Sequence, residues 1–398
     1  RPDELIPMCR AVDVTFGGAG LRDEEIASAR ERLGDRFYVA SDEGIVVGGG
    51  ADFPFQLTVP GGELPAAGVT WVGVLPTHRR RGLLTRIMGV ALDAIASRGE
   101  PLAILWASES GIYQRFGYGL ATLNGAVELS RARSAFRDAV EPAGRVRLIE
   151  RAEADQLLPP LFDRLRPARP GFWARSAAWW KEILDDPEQS RRGAGRKFFA
   201  LHEVDGQPDG YATYRIQGDW DLTGPRCTLR LLELMADGPL PTRELWHYLC
   251  GVDLVGTIQA RFGPVEHPLL DLLADPRALR LVEGDGVWLR FLDVGAALQG
   301  RRYGALDRIV LEVGDSFRPD QAGRYLLDAS TAVPRVTRTD EPPDLALDTS
   351  DLGAAYLGRQ ALGRLAAVGR VRALQPGAVE RADALFRTAV APYSPAEF

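Results

Sequence analysis

The sequence predicts an α/β (α+β) protein of two or three domains, with mixed central sheets flanked by helices. Three observations lead there. A chain of 398 residues exceeds what one core ordinarily organises. Apolar, β-branched runs alternate with segments of helical periodicity from Leu21 to Ala107. A strand-then-helix unit then recurs between Thr228 and Gly251.

The first block runs to about Arg133. Leu21 to Leu33 passes from acidic to basic residues and reads as an amphipathic helix. Phe37 to Ala40, Gly44 to Gly48 and Asp52 to Val59 read as short strands. Val69, Trp71 and Leu75 with Val72 and Val74 form a run suited to a buried strand. Pro76 ends it, since proline cannot donate to a central ladder. Leu83 to Arg98 then places Leu83, Ile87, Val90, Ala91, Ala94 and Ile95 at three- and four-residue spacing, with Gly99 at C′. Pro101 to Ala107 (PLAILWA) is a further short strand.

The second block, about Ser134 to Leu292, contains the Arg- and Pro-rich stretch Arg164 to Pro170. Strand signals follow at Lys197 to His202, Gly210 to Ile216 and Thr228 to Met235. Thr242 to Gly251 reads as a helix with a Thr N-cap and Gly at its end. The connection before it, Ala236 to Pro241, has no arginine cluster, and its prolines remove N–H donors. The third block, Asp293 to Phe398, carries strands at Asp307 to Val313 and Arg324 to Leu327. Its helices are expected at Asp351 to Leu357, Arg359 to Val368 and Val379 to Arg387.

Composition excludes several classes. Apolar residues at 45% and charged residues at 26% are ordinary for a globular protein. A net charge of −6 argues against a general nucleic-acid binder and suits cationic substrates. Cys9, Cys227 and Cys250 are odd in number and far apart, so no disulfide framework is expected. His78, His202, His247 and His267 lack metal-ligand spacing, so no metal is expected. No apolar run approaches the ~18 residues of a membrane span. Arg1-Pro2-Asp3-Glu4 lacks the apolar core of a signal peptide, and a cytoplasmic location is expected.

The informative anomaly lies between the strand at Val69 to Leu75 and its helix. Arg79, Arg80 and Arg81 stand at a helix N-terminus, where the macrodipole disfavours positive charge. A docked anion removes that penalty. Free N–H groups, close approach at Gly82 and arginine forks together suit a pyrophosphate. A solvated charged face next to a cap is the plainer reading of the same residues.

Further along comes Ser108-Glu109-Ser110-Gly111-Ile112-Tyr113-Gln114-Arg115-Phe116-Gly117-Tyr118. The order strand, arginine–glycine loop, helix, strand, Tyr-x-x-x-Gly-aromatic resembles the GCN5-related N-acetyltransferase (GNAT) superfamily. Its loop pattern [Gln/Arg]-x-x-Gly-x-[Gly/Ala] is met by Arg79 and Gly82, with Leu84 departing in the last place. The resemblance implies acetyl-CoA as cosubstrate and no metal. It places the pyrophosphate on Arg79, Arg80, Arg81, Gly82, Leu83 and Leu84, and the pantetheine arm along Val72 and Val74, with Ser108 nearby.

THRRRGLL, ASESGIYQRFGYG, GVWLRFLDVGAAL and the ending Glu397-Phe398 also resemble the enhanced intracellular survival (Eis) acetyltransferases of actinobacteria, over nearly the whole chain. That resemblance implies a catalytic GNAT domain at 1–133, a second GNAT-like domain without a CoA loop at 134–292, and a sterol-carrier-protein-like domain at 293–398. It also implies a homo-oligomer, a hexamer in the type case.

Acetyl transfer from a thioester to an amine needs a neutral amine, a polarised carbonyl and a proton for the leaving thiolate. Backbone N–H groups near Val72 and Val74 would face the thioester oxygen. Tyr113 is the candidate acid, because a phenol of pKa ~10 is well matched to a thiol. By spacing alone it is equally a packed core tyrosine. In the family the tyrosine of this motif is the acid, and the α-carboxylate of the C-terminal Phe is the base. The candidates for those roles are Tyr113 and Phe398. A free α-carboxylate of pKa about 3.5 is a poor base unless burial raises it, and a frayed tail is the default for chain ends.

Trp71 stands at the family's pocket aromatic and is equally a core residue on the opposite strand face. Glu397 would add negative charge for a polyamine. The family's other pocket residues fall where this sequence has Thr15-Phe16-Gly17, with Asp13 as a stand-in. The expected function is therefore acetyl-CoA-dependent N-acetylation of a small-molecule primary amine on a cationic substrate: aminoglycoside-like, polyamine or lysine. The alternative is a non-catalytic GNAT-fold protein that binds a lipid or protein partner through its third block.

Overall fold

The computed structural model describes residues 1–18, 20–222 and 224–398, and the side chains of all of these except Pro2 and Asp23. It divides into two compact units, one of residues 1–122, 285–392 and 397–398, the other of residues 123–284 and 393–396.

The first unit opens with α1 (Leu5–Thr15) and α2 (Asp23–Leu33). There follow β1 (Phe37–Asp42), β2 (Ile45–Val59), β3 (Gly62–Val74), α3 (Leu83–Ser97), β4 (Leu102–Trp106), the single turn α4 (Ser110–Tyr113) and β5 (Gly119–Leu120). Helix α3 forms where its periodicity predicts. It buries Ile87, Met88, Ala91, Leu92 and Ile95 on one face, and Gly99 beyond its end takes φ +74°. Ile87, Met88, Leu92 and Ile95 each contribute roughly 1.5–3 kcal/mol by leaving water.

Strand β2 is continuous where the sequence suggested two strands. Gly48, Gly49 and Gly50 interrupt the apolar pattern but not the strand, which runs on through them. A Cβ at Gly49 would strike Met8 of α1 and the Tyr38 carbonyl, so the glycines let a helix and a neighbouring strand approach closely.

The second unit contains β6 (Leu123–Ser130), β7 (Arg145–Ile149), α5 (Arg151–Leu165), α6 (Ala177–Leu184), β8 (Phe198–Val204) and β9 (Gln207–Gln217). A short hairpin of β10 (Trp220–Asp221) and β11 (Gly224–Pro225) leads to β12 (Cys227–Ala236), α7 (Pro239–Gly251), β13 (Val255–Ala260), α8 (Leu269–Leu272) and β14 (Leu279–Asp285). Its main sheet has the order β14-β6-β13-β12-β9-β8-β7. Helix α7 starts three residues before the expected Thr242 cap, at Pro239, with Gly238 as N-cap. Proline at the first helical position costs nothing there, because its missing N–H would have no partner. Thr242 Oγ1 instead bonds back to the Gly238 carbonyl at 2.7 Å.

β15 (Val287–Phe291) belongs to the first unit again. It pairs antiparallel with β4 on one side and β5 on the other, giving the order β1-β2-β3-β4-β15-β5. The chain thus leaves the first unit at Thr122 and re-enters it at Asp285. After it come α9 (Val294–Gln299), β16 (Arg308–Gly314), β17 (Gly323–Asp328), β18 (Arg335–Arg338), β19 (Leu345–Asp348), α10 (Thr349–Tyr356), α11 (Leu362–Ala367), β20 (Val371–Ala373) and α12 (Ala378–Phe386). The last five strands form a separate sheet ordered β18-β17-β16-β19-β20.

Candidate active site

Strands β3 and β4 run parallel but pair only from Ala66 to Gly68, against Leu102 to Ile104. Beyond Gly68 they part. Trp71 explains the divergence: its backbone is left-handed, at φ +51°. The β2–β3 register slips at the same place, between Gly49 and Ala51 opposite Gly73 and Thr70. A bulge of this kind twists a strand out of its ladder and re-aims a side chain. A left-handed tryptophan also costs of order 1–3 kcal/mol, a strain that concentrates at functional sites.

The gap is a cavity of about 260 Å³. Val69, Thr70, Trp71 and Val72 wall it from β3, and Trp106, Ala107 and Ser108 from the end of β4, with Phe16, Tyr113, Glu397 and Phe398 completing it. Tyr113 is buried at 7% exposure, edge-on to Tyr118 with centroids 6.0 Å apart. Burial, aided by the Glu109 charge, raises its phenol above the ordinary tyrosine value, so it holds its proton throughout the neutral range.

The Phe398 ring sits edge-on to Phe55, 5.0 Å between centroids. Gly68 makes that seat possible, since a Cβ there would collide with the Phe55 ring and reach Phe398 Cε2 at 3.0 Å. Thr70 Oγ1 donates to the main-chain oxygen of Phe398 at 3.1 Å.

Beyond β3, the chain makes one 3₁₀ turn at Pro76–His78 before the arginines. Arg80 and Gly82 are both left-handed, at φ +63° and +78°. Alternation of this kind turns successive N–H groups toward one anion-sized concavity. No side chain caps α3, so its first N–H groups face outward without an intrahelical acceptor. Arg79 Nε donates to the Val74 carbonyl at 3.3 Å, and Arg81 Nη1 lies 3.4 Å from Asp42 Oδ2. The guanidiniums are exposed. These residues suit a pyrophosphate chemically.

Among the sequence candidates, Trp71, Val72, Ser108, Tyr113, Glu397 and Phe398 line the cavity, whereas Val74 is buried in the β2–β3 ladder. Arg79, Arg80, Arg81, Gly82, Leu83 and Leu84 form the loop and the start of α3. Ser108 lies beside Trp106 on the cavity wall rather than in that loop. Asp13 is not part of the wall. It accepts from the Gly20 N–H at 3.0 Å, and Phe16 is the cavity residue of that segment. Sequence reasoning did not single out Thr70 or Trp106. The signal for Thr70 was a lone hydroxyl within an apolar strand. Among the described residues no group of His, Cys, Asp and Glu could hold a metal ion. Among the described residues no helix is long and apolar enough to cross a membrane.

Parted parallel strands, with a tyrosine between them and an arginine–glycine loop beyond, define a GNAT acyltransferase. The family models agree. Residues 2–121 and 171–290 each match an acetyltransferase (GNAT) domain, and residues 294–395 match a sterol carrier protein domain. An uncharacterized N-acetyltransferase of Streptomyces avermitilis is 41% identical over 92% of this chain and 90% of its own. N-acetyltransferase Eis of Mycobacterium tuberculosis is 36% identical over 89% of this chain and 86% of its own. The crystal structure of Eis1 from Mycobacterium abscessus superposes with a TM-score of 0.88 at 33% identity, covering 100% of this chain and 98% of that one. The chain belongs to the Eis-like family of GNAT N-acetyltransferases.

Proposed function

We propose that this enzyme transfers the acetyl group of acetyl-CoA to a primary amine of a cationic small molecule, by direct attack in a ternary complex. The observation that carries the reading is the meeting of Tyr113 and the Phe398 terminus in one cavity between the parted strands. Aminoglycoside-like compounds, polyamines and lysine side chains all present the required amine.

Acetyl-CoA is held with its pyrophosphate on the loop and α3 N-terminus: Arg79, Arg80, Arg81 and the N–H groups of Gly82, Leu83 and Leu84. Its pantetheine arm follows Val72 and Val74, where strand N–H groups polarise the thioester carbonyl, and Ser108 flanks it. The amine docks between Trp71 and Glu397. The Phe398 carboxylate takes a proton from the docked ammonium, and the neutral amine so formed is the attacking group. The amine nitrogen bonds to the acetyl carbon, the C–S bond breaks, Tyr113 protonates the departing thiolate, and the second proton that the nitrogen sheds on becoming an amide restores the Tyr113 phenol.

The second GNAT-like unit is structural in this reading. Pro239 and Pro241 occupy the first turn of α7 and remove two of the donors that a pyrophosphate would use. A cytoplasmic location and a hexameric assembly complete the proposal, the latter checked by sedimentation.

The test is CoA release from acetyl-CoA against a panel of aminoglycosides, polyamines and lysine peptides. Untagged wild type, Tyr113→Phe and a form lacking Phe398 are compared. Release with one amine class, cut to a small but measurable residual rate in both variants while acetyl-CoA binding persists, is the expected result. Binding of acetyl-CoA by wild type without transfer to any amine overturns the reading in favour of a non-catalytic binding protein.

A further inference from the structure

The segment GVWLRFLDVG contains a charge for which acetyl transfer has no evident use. Arg290, in β15, is 0% exposed, and its Nη2 lies 2.6 Å from Oδ2 of Asp315, itself buried. Buried ion pairs seldom make a protein more stable than apolar residues of similar volume, because both charges lose their hydration. The placement of this pair suggests another purpose.

Arg290 lies directly beneath the turn that follows the acid. Gly117 is left-handed at φ +81°, and a Cβ there would run into Arg290 Nη1. Tyr118, the next residue, is fully buried and edge-on to Tyr113. The Arg290 charge acts on the Tyr118 phenol, opposing the upward push of burial. Asp315 fastens the same region from the other side. Its Oδ1 accepts the backbone N–H groups of Phe317 and Arg318 at 3.1 and 2.8 Å. The Phe317 ring packs edge-on against Phe116 at 5.0 Å. Arg318 pairs with Asp93 of α3 at 2.8 Å. A loop from the third block thereby grips both the tyrosine motif and the helix that follows the arginine loop.

We infer that Arg290, clamped by Asp315, is a positioning residue for Tyr113, acting by propping the Gly117 turn and so fixing the Tyr113–Tyr118 pair. The inference rests on Tyr113 being the acid. Arg290 itself touches no reacting atom. It limits how far the acid can drift from the sulfur, and misplacement by about 1 Å can cost a reaction about a hundredfold.

A double-mutant cycle on the full-length enzyme distinguishes positioning from general support. CoA release is followed with the fastest amine of the panel, and acetyl-CoA affinity is measured alongside. Arg290→Met should lower kcat about tenfold or more while the Kd for acetyl-CoA changes by less than about twofold. In a Tyr113→Phe background the same substitution should change kcat by less than about twofold, because no acid remains to be positioned.

Losses that multiply across the two sites overturn the inference and leave Tyr113 as the acid. So does an Arg290→Met enzyme as fast as wild type. Tyr113→Phe as active as wild type, or a wild type inert with every amine, overturns the acid assignment and the inference with it. If Arg290→Met does not fold, Asp315→Asn carries the same cycle, since it preserves the shape of the clamp and removes its charge.

Discussion

One hydroxyl joins the Phe55 ring in holding Phe398 at the cavity. Thr70 Oγ1 reaches the Phe398 main-chain oxygen at 3.1 Å, and a hydrogen bond to a charged acceptor is worth roughly 1.5–3 kcal/mol. Thr70→Val should therefore lower kcat by about ten- to a hundredfold, whereas Thr70→Ser should retain most of it. Steady-state kinetics on the two variants decides this, and equal loss in both would count against the anchor.

A second prediction concerns His202 in the other unit. It is fully buried, with Nδ1 2.5 Å from Asp209 and Nε2 2.9 Å from Glu244, which also accepts the Ala143 and Gly144 N–H groups. Burial alone would lower its pKa, but the two carboxylates outweigh burial and raise it. Its contribution to stability is then complete below the unfolded value of 6.5 and is lost as pH climbs through the folded value. Glu244 works in the opposite sense. Its pKa is lowered against the effect of burial by the Ala143 N–H and His202, so its contribution fades in acid. Melting temperature should fall as pH rises above the unfolded imidazole value of 6.5, and His202→Gln should flatten that slope at a cost of about 1–3 kcal/mol. A slope unchanged in the variant would remove His202 as its source.

Among the elements, the loop before α3 is the most exposed to single changes. Gly82 has space around it but sits at φ +78°. Gly82→Val should thus strain the backbone by roughly 1–2 kcal/mol and weaken acetyl-CoA binding. Arg79→Ala should weaken it too, and flatten its salt dependence. Calorimetric titration with acetyl-CoA at two ionic strengths tests both. Helix α3 was readable because its apolar period is strong and its end is marked by Gly99. The bulge in β3 was not. A tryptophan gives no warning of a left-handed backbone, and the parting of β3 from β4 depends on a register slip against glycines in another strand. Tyr113 and Phe398 were named from a motif and a chain ending. Thr70 and Trp106 needed coordinates, because which strand face borders a gap is set by the neighbouring strands.

For the whole molecule, the sequence suggested blocks ending near Arg133 and Leu292, but not that the chain would leave the first unit at Thr122 and rejoin it at Asp285, nor which strands each sheet would recruit. In the sequence Val287 to Phe291 stands out only as part of a motif, and neither its strand nor its partners β4 and β5 were read from it. Residues 1–133 alone should consequently fail to fold. Expressed by themselves, they should give poorly dispersed amide resonances and aggregate, whereas a native-like spectrum would show that β15 is dispensable.

The same insertion sets an order of events during synthesis. When the segment Ser108 to Tyr118 emerges from the ribosome, β4 has an open edge, and the strand that will cover it lies more than 150 residues downstream. At about 5–20 residues per second that edge waits on the order of ten seconds or more, long enough for an unpaired strand to find the wrong neighbour. The nascent first unit thus carries an unpaired strand edge until Val287 to Phe291 arrive to fill it.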